Sequence, residues 1–113
     1  MGQSSSTLTP EMAAQIKTRV DAIIANNGVA VFSKTYCPYC TKAKNLLAKL
    51  GASAHIVELD SEDDGSAIQA YLLELTGQRT VPNIFIGQKH IGGCDDLFAL
   101  EKNGQLKTLL AKI

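Results

Sequence analysis

The chain of 113 residues has no tryptophan, no net charge and no long apolar segment. Eleven Lys and Arg side chains balance eleven Asp and Glu side chains, so no basic surface of the kind that binds nucleic acid is expected. No apolar run approaches the roughly 20 residues that are needed to span a bilayer. The opening residues MGQSSSTLTP lack the charged and apolar regions of a secretory signal. These absences predict a cytoplasmic protein whose partner is a small molecule or another protein.

Cysteine is scarce as well, with three residues, an odd number that argues against a fully paired disulfide framework. Two of them, Cys37 and Cys40, are separated only by Pro38 and Tyr39 in the stretch TYCPYC. A disulfide that closes so short a loop removes little entropy from the unfolded chain, so a structural crosslink is the weakest interpretation. The pair is therefore either a redox couple or part of a metal site.

The metal alternative adds two residues from the C-terminal part of the chain. Cys37 and Cys40 could join His90 and Cys94 as four tetrahedral ligands of Zn²⁺. However, His90 stands far beyond the spacing that is usual in zinc fingers, and Pro38 inside the pair suits a rigid redox turn better. The redox couple is therefore favoured, and no metal is expected.

The rest of the sequence reads as alternating helices and strands. The composition, 45% hydrophobic and 19% charged residues, fits one globular domain. Caps, glycines and hydrophobic spacing predict the following elements: a helix from Thr9 and Pro10 to Asn26, a strand over 29–33, a helix from Pro38 to Gly51, a strand over 54–60, a helix after the acidic residues 62–64 that ends at Gly77, a hairpin of NIFIG and KHIGG, and a helix from about Asp95 that is interrupted at Asn103 and Gly104.

This αβαβαββα order determines a fold class. The first two strands require a parallel, right-handed crossover, whereas the last two can pair as an antiparallel hairpin that turns near Gly87 and Gln88. The prediction is an α/β protein with a four-stranded mixed sheet and helices on both faces. The domain is expected over residues 9–113, after a flexible tail over residues 1–8.

The tail carries one targeting pattern. MGQSSS matches the N-myristoylation signature, with Gly2 as the acceptor. A single acyl chain binds membranes only marginally, and the tail offers neither a cysteine nor a polybasic run as a second signal. Membrane association is therefore expected only if Gly2 is acylated.

The position of the cysteine pair predicts different roles for its two thiols. If a helix begins at Pro38, Cys37 is its N-cap, where free backbone N–H groups and the helix dipole favour an anion. The thiolate is the nucleophile in thiol–disulfide exchange. Cys40 lies one turn further along the same helix face, where it can attack a mixed disulfide on Cys37. Cys37 is therefore predicted as the nucleophile and Cys40 as the resolving thiol.

At this point the sequence resembles a known family. A strand followed by TYCPYC, then GQRTVPNIFIG and GGCDDL, in this order and spacing, is similar to the dithiol glutaredoxins over residues 14–113. Thioredoxins carry tryptophan beside their cysteines, and this chain has none. The resemblance implies a thioredoxin-like fold and a monomeric, glutathione-dependent thiol–disulfide oxidoreductase, or thioltransferase. Such an enzyme reduces protein–glutathione mixed disulfides and some protein disulfides, with electrons from NADPH through glutathione reductase.

The resemblance also implies a glutathione site. Lys34, Gln69 and Arg79 match the positions that hold the glycine carboxylate end, and Tyr39 matches a residue beside the bound tripeptide. Taken one at a time, these charged and polar side chains would be ordinary surface residues.

Two backbone segments complete the implied site. Thr80 and Val81 precede Pro82, which the family holds in cis, and the Val81 backbone is expected to pair with the cysteine part of glutathione like a strand. A helix N-terminus is expected to receive the γ-glutamyl carboxylate, and an aspartate its ammonium group. This second segment consists of Gly93, Cys94, Asp95 and Asp96, in which Asp95 or Asp96 alone would read as a simple N-cap.

Two questions stay open in the sequence. Cys94 is either an inert small hydrophobic residue or an accessory thiol open to oxidation. The competing function is a scaffold that holds an iron–sulfur cluster between two chains through Cys37 and glutathione. Pro38 argues against that scaffold, because cluster-binding dithiol relatives usually carry a smaller and more flexible residue there.

Overall fold

The computed structural model describes residues 8–113. The acylation pattern at Gly2 and nearly all of the predicted tail lie outside the described residues. No helix within residues 8–113 has the length and apolar character needed to cross a membrane. The elements in chain order are α1 (Pro10–Asn26), β1 (Val29–Ser33), α2 (Pro38–Lys49), β2 (His55–Glu58), a 3₁₀ turn (Leu59–Ser61), α3 (Gly65–Thr76), β3 (Asn83–Ile86), β4 (Lys89–Gly92), α4 (Cys94–Lys102) and α5 (Gln105–Ala111).

Local sequence signals set most of these boundaries. The Thr9 side chain accepts the Met12 N–H at 3.1 Å and caps α1, whose first residue is Pro10. In the β3–β4 hairpin, Gly87 and Gln88 have φ angles of 57° and 68°. Two consecutive positive φ values are typical of the tight type I′ turn that matches the twist of paired strands. The predicted helix N-terminus and hairpin are therefore confirmed.

The four strands form one mixed sheet in the order β2-β1-β3-β4. Strand β1 pairs in parallel with β2 and antiparallel with β3, and β3 pairs antiparallel with β4. Helix α2 therefore makes the crossover between the two parallel strands, as its position between them in the sequence requires. This topology confirms the predicted mixed sheet of four strands, and it places the end of β1 next to the start of β3.

Side chains that alternate along β1 divide the hydrophobic core in two. Ala30 and Phe32 pack with the buried faces of α1 and α3, while Val29 and Val31 pack with those of α2, α4 and α5. All five residues of β1 are buried, which is expected for a central strand covered on both faces. The helices thus lie on both sides of the sheet. The N-terminus of α2 follows the C-terminal end of the central strand β1.

The structure corrects two predicted boundaries. Strand β2 ends at Glu58 rather than at residue 60, because Leu59 turns into the core and Asp60 turns towards Thr35. Helix α4 begins at Cys94, with Gly93 as its N-cap. The ordinary alternative, in which Asp95 or Asp96 is the N-cap, is therefore wrong.

Candidate active site

The cysteine pair lies where β1 passes into α2. Cys37 is the N-cap of α2 and Pro38 its first residue, as predicted. The Cys37 sulfur accepts the Cys40 N–H at 3.4 Å, and the Cys37 carbonyl accepts the Thr41 N–H at 3.1 Å. The sulfur of Cys37 therefore accepts a backbone N–H of the first helical turn and lies at the positive end of the α2 dipole.

The two thiols differ in exposure. Cys37 is half-buried, whereas Cys40 is buried completely. Burial raises the pKa of the Cys40 thiol, and the neighbouring Cys37 raises it further, while contacts with Lys34 and Ser33 act in the opposite direction. Outside reagents therefore meet Cys37 first, and Cys40 stays protonated to a higher pH than an ordinary thiol.

The loop before Cys37 is anchored by a residue that the sequence did not single out. The carboxylate of Asp60 accepts the Thr35 N–H at 3.0 Å and also the Thr35 hydroxyl. These hydrogen bonds hold the pKa of the Asp60 carboxyl below its ordinary value. In the same loop the Cys37 N–H donates to the Lys34 carbonyl at 3.1 Å. The 3₁₀ turn after β2 thus holds the segment that presents the nucleophile.

A second segment approaches the thiol from the start of β3. The peptide bond between Val81 and Pro82 is cis, as the resemblance implied. The Cys37 thiol donates to the Val81 carbonyl, with 3.8 Å between sulfur and oxygen. One amide group, Nε2 of Gln78, donates to the carbonyls of Thr80 and Pro82 at 2.9 Å each. Gln78 is a second residue that sequence analysis missed.

The start of α4 forms the third part of the site. The Asp96 carboxylate accepts the Gly93 N–H at 2.9 Å and so caps the helix from its third position. Gly92 has a φ of 118°, and a Cβ there would collide with this carboxylate. Glycine is therefore required at position 92. Cys94, the first residue of α4, is buried, and this burial raises the pKa of its thiol. The next residue, Asp95, is exposed.

These three parts enclose a groove of about 470 Å³. Its lining contains most of the residues predicted for a glutathione site, together with Gln78. The lining residues are Tyr39, Gln78, Thr80, Val81, Pro82, Gly93, Cys94, Asp95 and Asp96.

Three predicted residues lie outside this lining. Lys34 is half-buried in the loop before Cys37, and Arg79 is exposed next to Thr80 along the chain. The Gln69 amide donates to the Arg79 carbonyl at 2.8 Å, so it supports the backbone that leads into the groove. The structure brings Gln69 and Arg79 together, and it leaves the Arg79 side chain open to solvent.

The residues of the zinc alternative do not converge. His90 lies on β4, where its Nε2 contacts Asn83 Oδ1 at 2.8 Å. Within the part of the chain that the structure describes, no three His, Cys, Asp or Glu side chains are grouped so that they could hold a metal ion.

Comparisons with known proteins agree with this geometry. A family model described as glutaredoxin matches residues 29–91. A glutaredoxin of Solanum lycopersicum is 64% identical over 90 residues, which cover 80% of this chain and 83% of the relative. A glutaredoxin of Ricinus communis is 59% identical over 95 residues, covering 84% of this chain and 93% of the relative. The crystal structure of a buckwheat glutaredoxin–glutathione complex has a TM-score of 0.89 at 48% identity and covers 92% of this chain and 94% of its own.

The fold and the paired thiols at a helix N-terminus define a thioredoxin-like dithiol protein. Within that class, the family match and the close relatives show that the chain belongs to the glutaredoxin family. It is accordingly a thiol–disulfide oxidoreductase of the thioltransferase type.

Proposed function

We propose that this glutaredoxin reduces mixed disulfides between proteins and glutathione, and some protein disulfides, with glutathione as its co-substrate. The observation that carries the proposal is the position of Cys37, at the N-terminus of α2 and 3.8 Å from the Val81 carbonyl at the edge of the groove. The buckwheat relative is a glutathione complex, which supports the same ligand here.

The proposed reaction is two successive thiol–disulfide exchanges. The Cys37 thiolate attacks the glutathione sulfur of the mixed disulfide, the old S–S bond breaks, and the protein leaves as a thiolate that takes up a proton. A second glutathione, as thiolate, then attacks the glutathione sulfur on Cys37. Cys37 is released as a thiolate and oxidised glutathione is the product. Glutathione reductase returns the oxidised glutathione to its thiol form with electrons from NADPH.

Cys40 provides the second route. When Cys37 is joined to a protein substrate, Cys40 attacks the Cys37 sulfur, which forms the internal disulfide and releases the substrate thiol. Two glutathione molecules then reduce the internal disulfide. This route requires a second thiol close to Cys37, and the Cys40 N–H contact to the Cys37 sulfur supports that proximity.

Glutathione is proposed to lie along the groove. Its cysteine part pairs with the N–H and C=O of Val81, and its γ-glutamyl carboxylate lies at the N-terminus of α4, where Asp95 takes the ammonium group. The glycine carboxylate points towards Lys34 and Arg79, with Gln69 supporting the Arg79 backbone.

Three further features of the proposal concern the setting of the reaction. The enzyme is proposed to act as a monomer in the cytosol on glutathionylated proteins. The iron–sulfur scaffold is not favoured, because Pro38 occupies the first turn of α2, where its ring restricts the backbone. Anaerobic purification followed by a visible absorption spectrum separates the two functions, and a stoichiometric coloured dimer would overturn the monomeric, cluster-free enzyme.

The decisive assay follows NADPH consumption with glutathione reductase, glutathione and a mixed disulfide of glutathione with a small thiol. Turnover that requires both glutathione and Cys37 is expected. The same assay without glutathione, and with Cys37→Ser, gives the two baselines. Turnover in the wild type no faster than these baselines would refute the proposed function.

A further inference from the structure

Gln78 stands in the turn between α3 and the groove, and its side chain makes an unusual pair of contacts. Both hydrogens of its single amide nitrogen are used, one by the Thr80 carbonyl and one by the Pro82 carbonyl, at 2.9 Å each. Because both partners are acceptors, the nitrogen rather than the oxygen must face them. The orientation of the side-chain amide is therefore determined by its surroundings.

The two carbonyls belong to the residues on either side of Val81, whose backbone is proposed to pair with glutathione. The carbonyls of Thr80 and Pro82 both accept from Gln78, whereas the Val81 carbonyl between them along the chain does not. The Val81 carbonyl faces Cys37 across 3.8 Å. Gln78 thus holds one edge of this short segment while the other edge remains available to Cys37 and to a ligand.

Gln78 is itself anchored on the folded core. Its backbone N–H donates to the Thr76 hydroxyl oxygen at 3.1 Å, and the Thr76 hydroxyl donates to the Leu72 carbonyl at 2.8 Å in the last turn of α3. The Gln78 amide nitrogen also lies 4.0 Å from the position that a Cβ on Gly93 would occupy. Gln78 therefore connects the end of α3, through its backbone N–H, with the Val81 segment, through its side chain, and lies near the start of α4.

We propose that Gln78 is a positioning residue that sets the affinity of the groove for the glutathione moiety by fixing the orientation of the Val81 peptide groups. The proposal rests on the proposed function and adds to it a residue that touches neither of the reacting sulfur atoms. Gln78 acts through the Thr80 and Pro82 carbonyls, so its loss affects binding of the tripeptide and leaves the chemistry of Cys37 unchanged.

The test compares two substitutions with different consequences. Gln78→Ala removes both donors and leaves the carbonyls free to bind water. Gln78→Glu has the same size but places a carboxylate against two carbonyl oxygens, so it should be the more damaging change. Loss of two hydrogen bonds predicts a KM for the glutathione mixed disulfide that is raised about 5- to 30-fold, with kcat changed less than about twofold. The matched controls are Gln105→Ala and Gln105→Glu, at an exposed position at the start of α5.

Two further measurements separate positioning from a general loss of structure. The rate of Cys37 alkylation by iodoacetamide should stay within about twofold of wild type, because the N-terminus of α2 is untouched. The Val81 amide signal in ¹⁵N NMR should shift in both Gln78 variants and in neither Gln105 variant. If kcat/KM and the rate of Cys37 alkylation fell by the same factor, and the melting temperature fell as well, Gln78 would have a merely structural role. That result would overturn the proposal.

The inference and the proposed function fail in different ways. Wild type without glutathione-dependent turnover would contradict the proposed function. In that case binding of S-methylglutathione, followed at the Val81 amide, still decides the role of Gln78. Unchanged KM or unchanged binding of this probe in Gln78→Glu would refute the role of Gln78 whichever way the activity assay comes out.

Discussion

The strongest prediction separates the two thiols of the active site. Cys37→Ser should abolish reduction of glutathione mixed disulfides and of protein disulfides, because a serine hydroxyl at the helix N-terminus is not appreciably ionised near neutral pH and forms no disulfide. Cys40→Ser should retain reduction of glutathione mixed disulfides, which needs one attacking sulfur. It should lose reduction of protein disulfides in the absence of glutathione, which needs a resolving thiol.

The structure gives this prediction a pH dependence. Burial and the neighbouring Cys37 raise the pKa of Cys40 above that of an ordinary thiol, so Cys40 is mostly protonated near neutral pH. While the pH stays below that pKa, each added unit of pH multiplies the thiolate fraction about tenfold. If attack by Cys40 limits release of a protein substrate, this release should accelerate as the pH rises from 7 to 8.

Formation of the mixed disulfide changes the environment of Cys40. Once the Cys37 sulfur is in a disulfide it carries no charge and no proton, so its contribution to the raised pKa of Cys40 disappears. The contribution of burial remains. Cys40 is therefore a better nucleophile in the intermediate, where it is needed, than in the resting enzyme.

The assay is the coupled mixed-disulfide reaction on wild type and both variants, with mass spectrometry to locate the trapped adduct. Cys40→Ser should accumulate a glutathione adduct on Cys37 when free glutathione is limiting. If Cys40→Ser were inactive and Cys37→Ser active, the assignment of nucleophile and resolving thiol would be reversed. The position of Cys37 at the helix N-terminus would then not be what makes it the nucleophile.

Three other predictions follow from the surroundings of the groove. Lys34→Ala and Arg79→Ala should each weaken the binding of glutathione by at most roughly 1–3 kcal/mol, and by less where water screens the charge. A glutathione titration of initial rates measures this, and unchanged dependence in both variants would remove them from the site. Deletion of residues 2–8 should leave turnover unchanged, because they precede the Thr9 cap of α1 and the described residues of the groove begin at Tyr39; a large loss of turnover in the truncated protein would show that these residues contact the site. Thr35→Val and Asp60→Ala should each slow turnover, and the double variant no more than either single one, if both act through the one contact. Because the hydrogen bonds from Thr35 hold the pKa of Asp60 below its ordinary value, Asp60 stays ionised and the effect of Asp60→Ala should not vary between pH 5 and 8; additive losses or a strong pH dependence would argue against this contact.

Much of the fold was predictable because its signals are local. The Thr9 cap, Pro10 and Pro38 at first helical positions and the Gly87 turn each act over about four residues, so the sequence displays them directly. The mixed four-stranded sheet predicted from the element order is confirmed. The errors concern β2 and α4, whose ends depend on contacts that are distant in sequence or on a side chain that caps from inside the helix.

The site was predicted unevenly. Residues that carry chemistry in their own side chains, above all Cys37 and Cys40, stand in a motif that sequence analysis can recognise. Asp60 and Gln78 were missed because each acts on the backbone of a segment elsewhere in the fold, and an acceptor on a turn or an amide in a loop has no distinctive pattern. The GQRTVP stretch contained Gln78, but only the structure showed which groups its amide contacts.

The sequence by itself determined which elements form, where they are capped and which cysteine stands at the N-terminus of α2, because these depend on interactions between residues a few positions apart. Only the tertiary structure decided that Val81 approaches Cys37 from 44 positions away. That approach depends on β3 pairing antiparallel with β1, which places the start of β3 beside the end of β1. The strand register, and therefore the groove, is set by the packing of both sheet faces against their helices, a collective property of the folded chain that no single stretch of sequence contains.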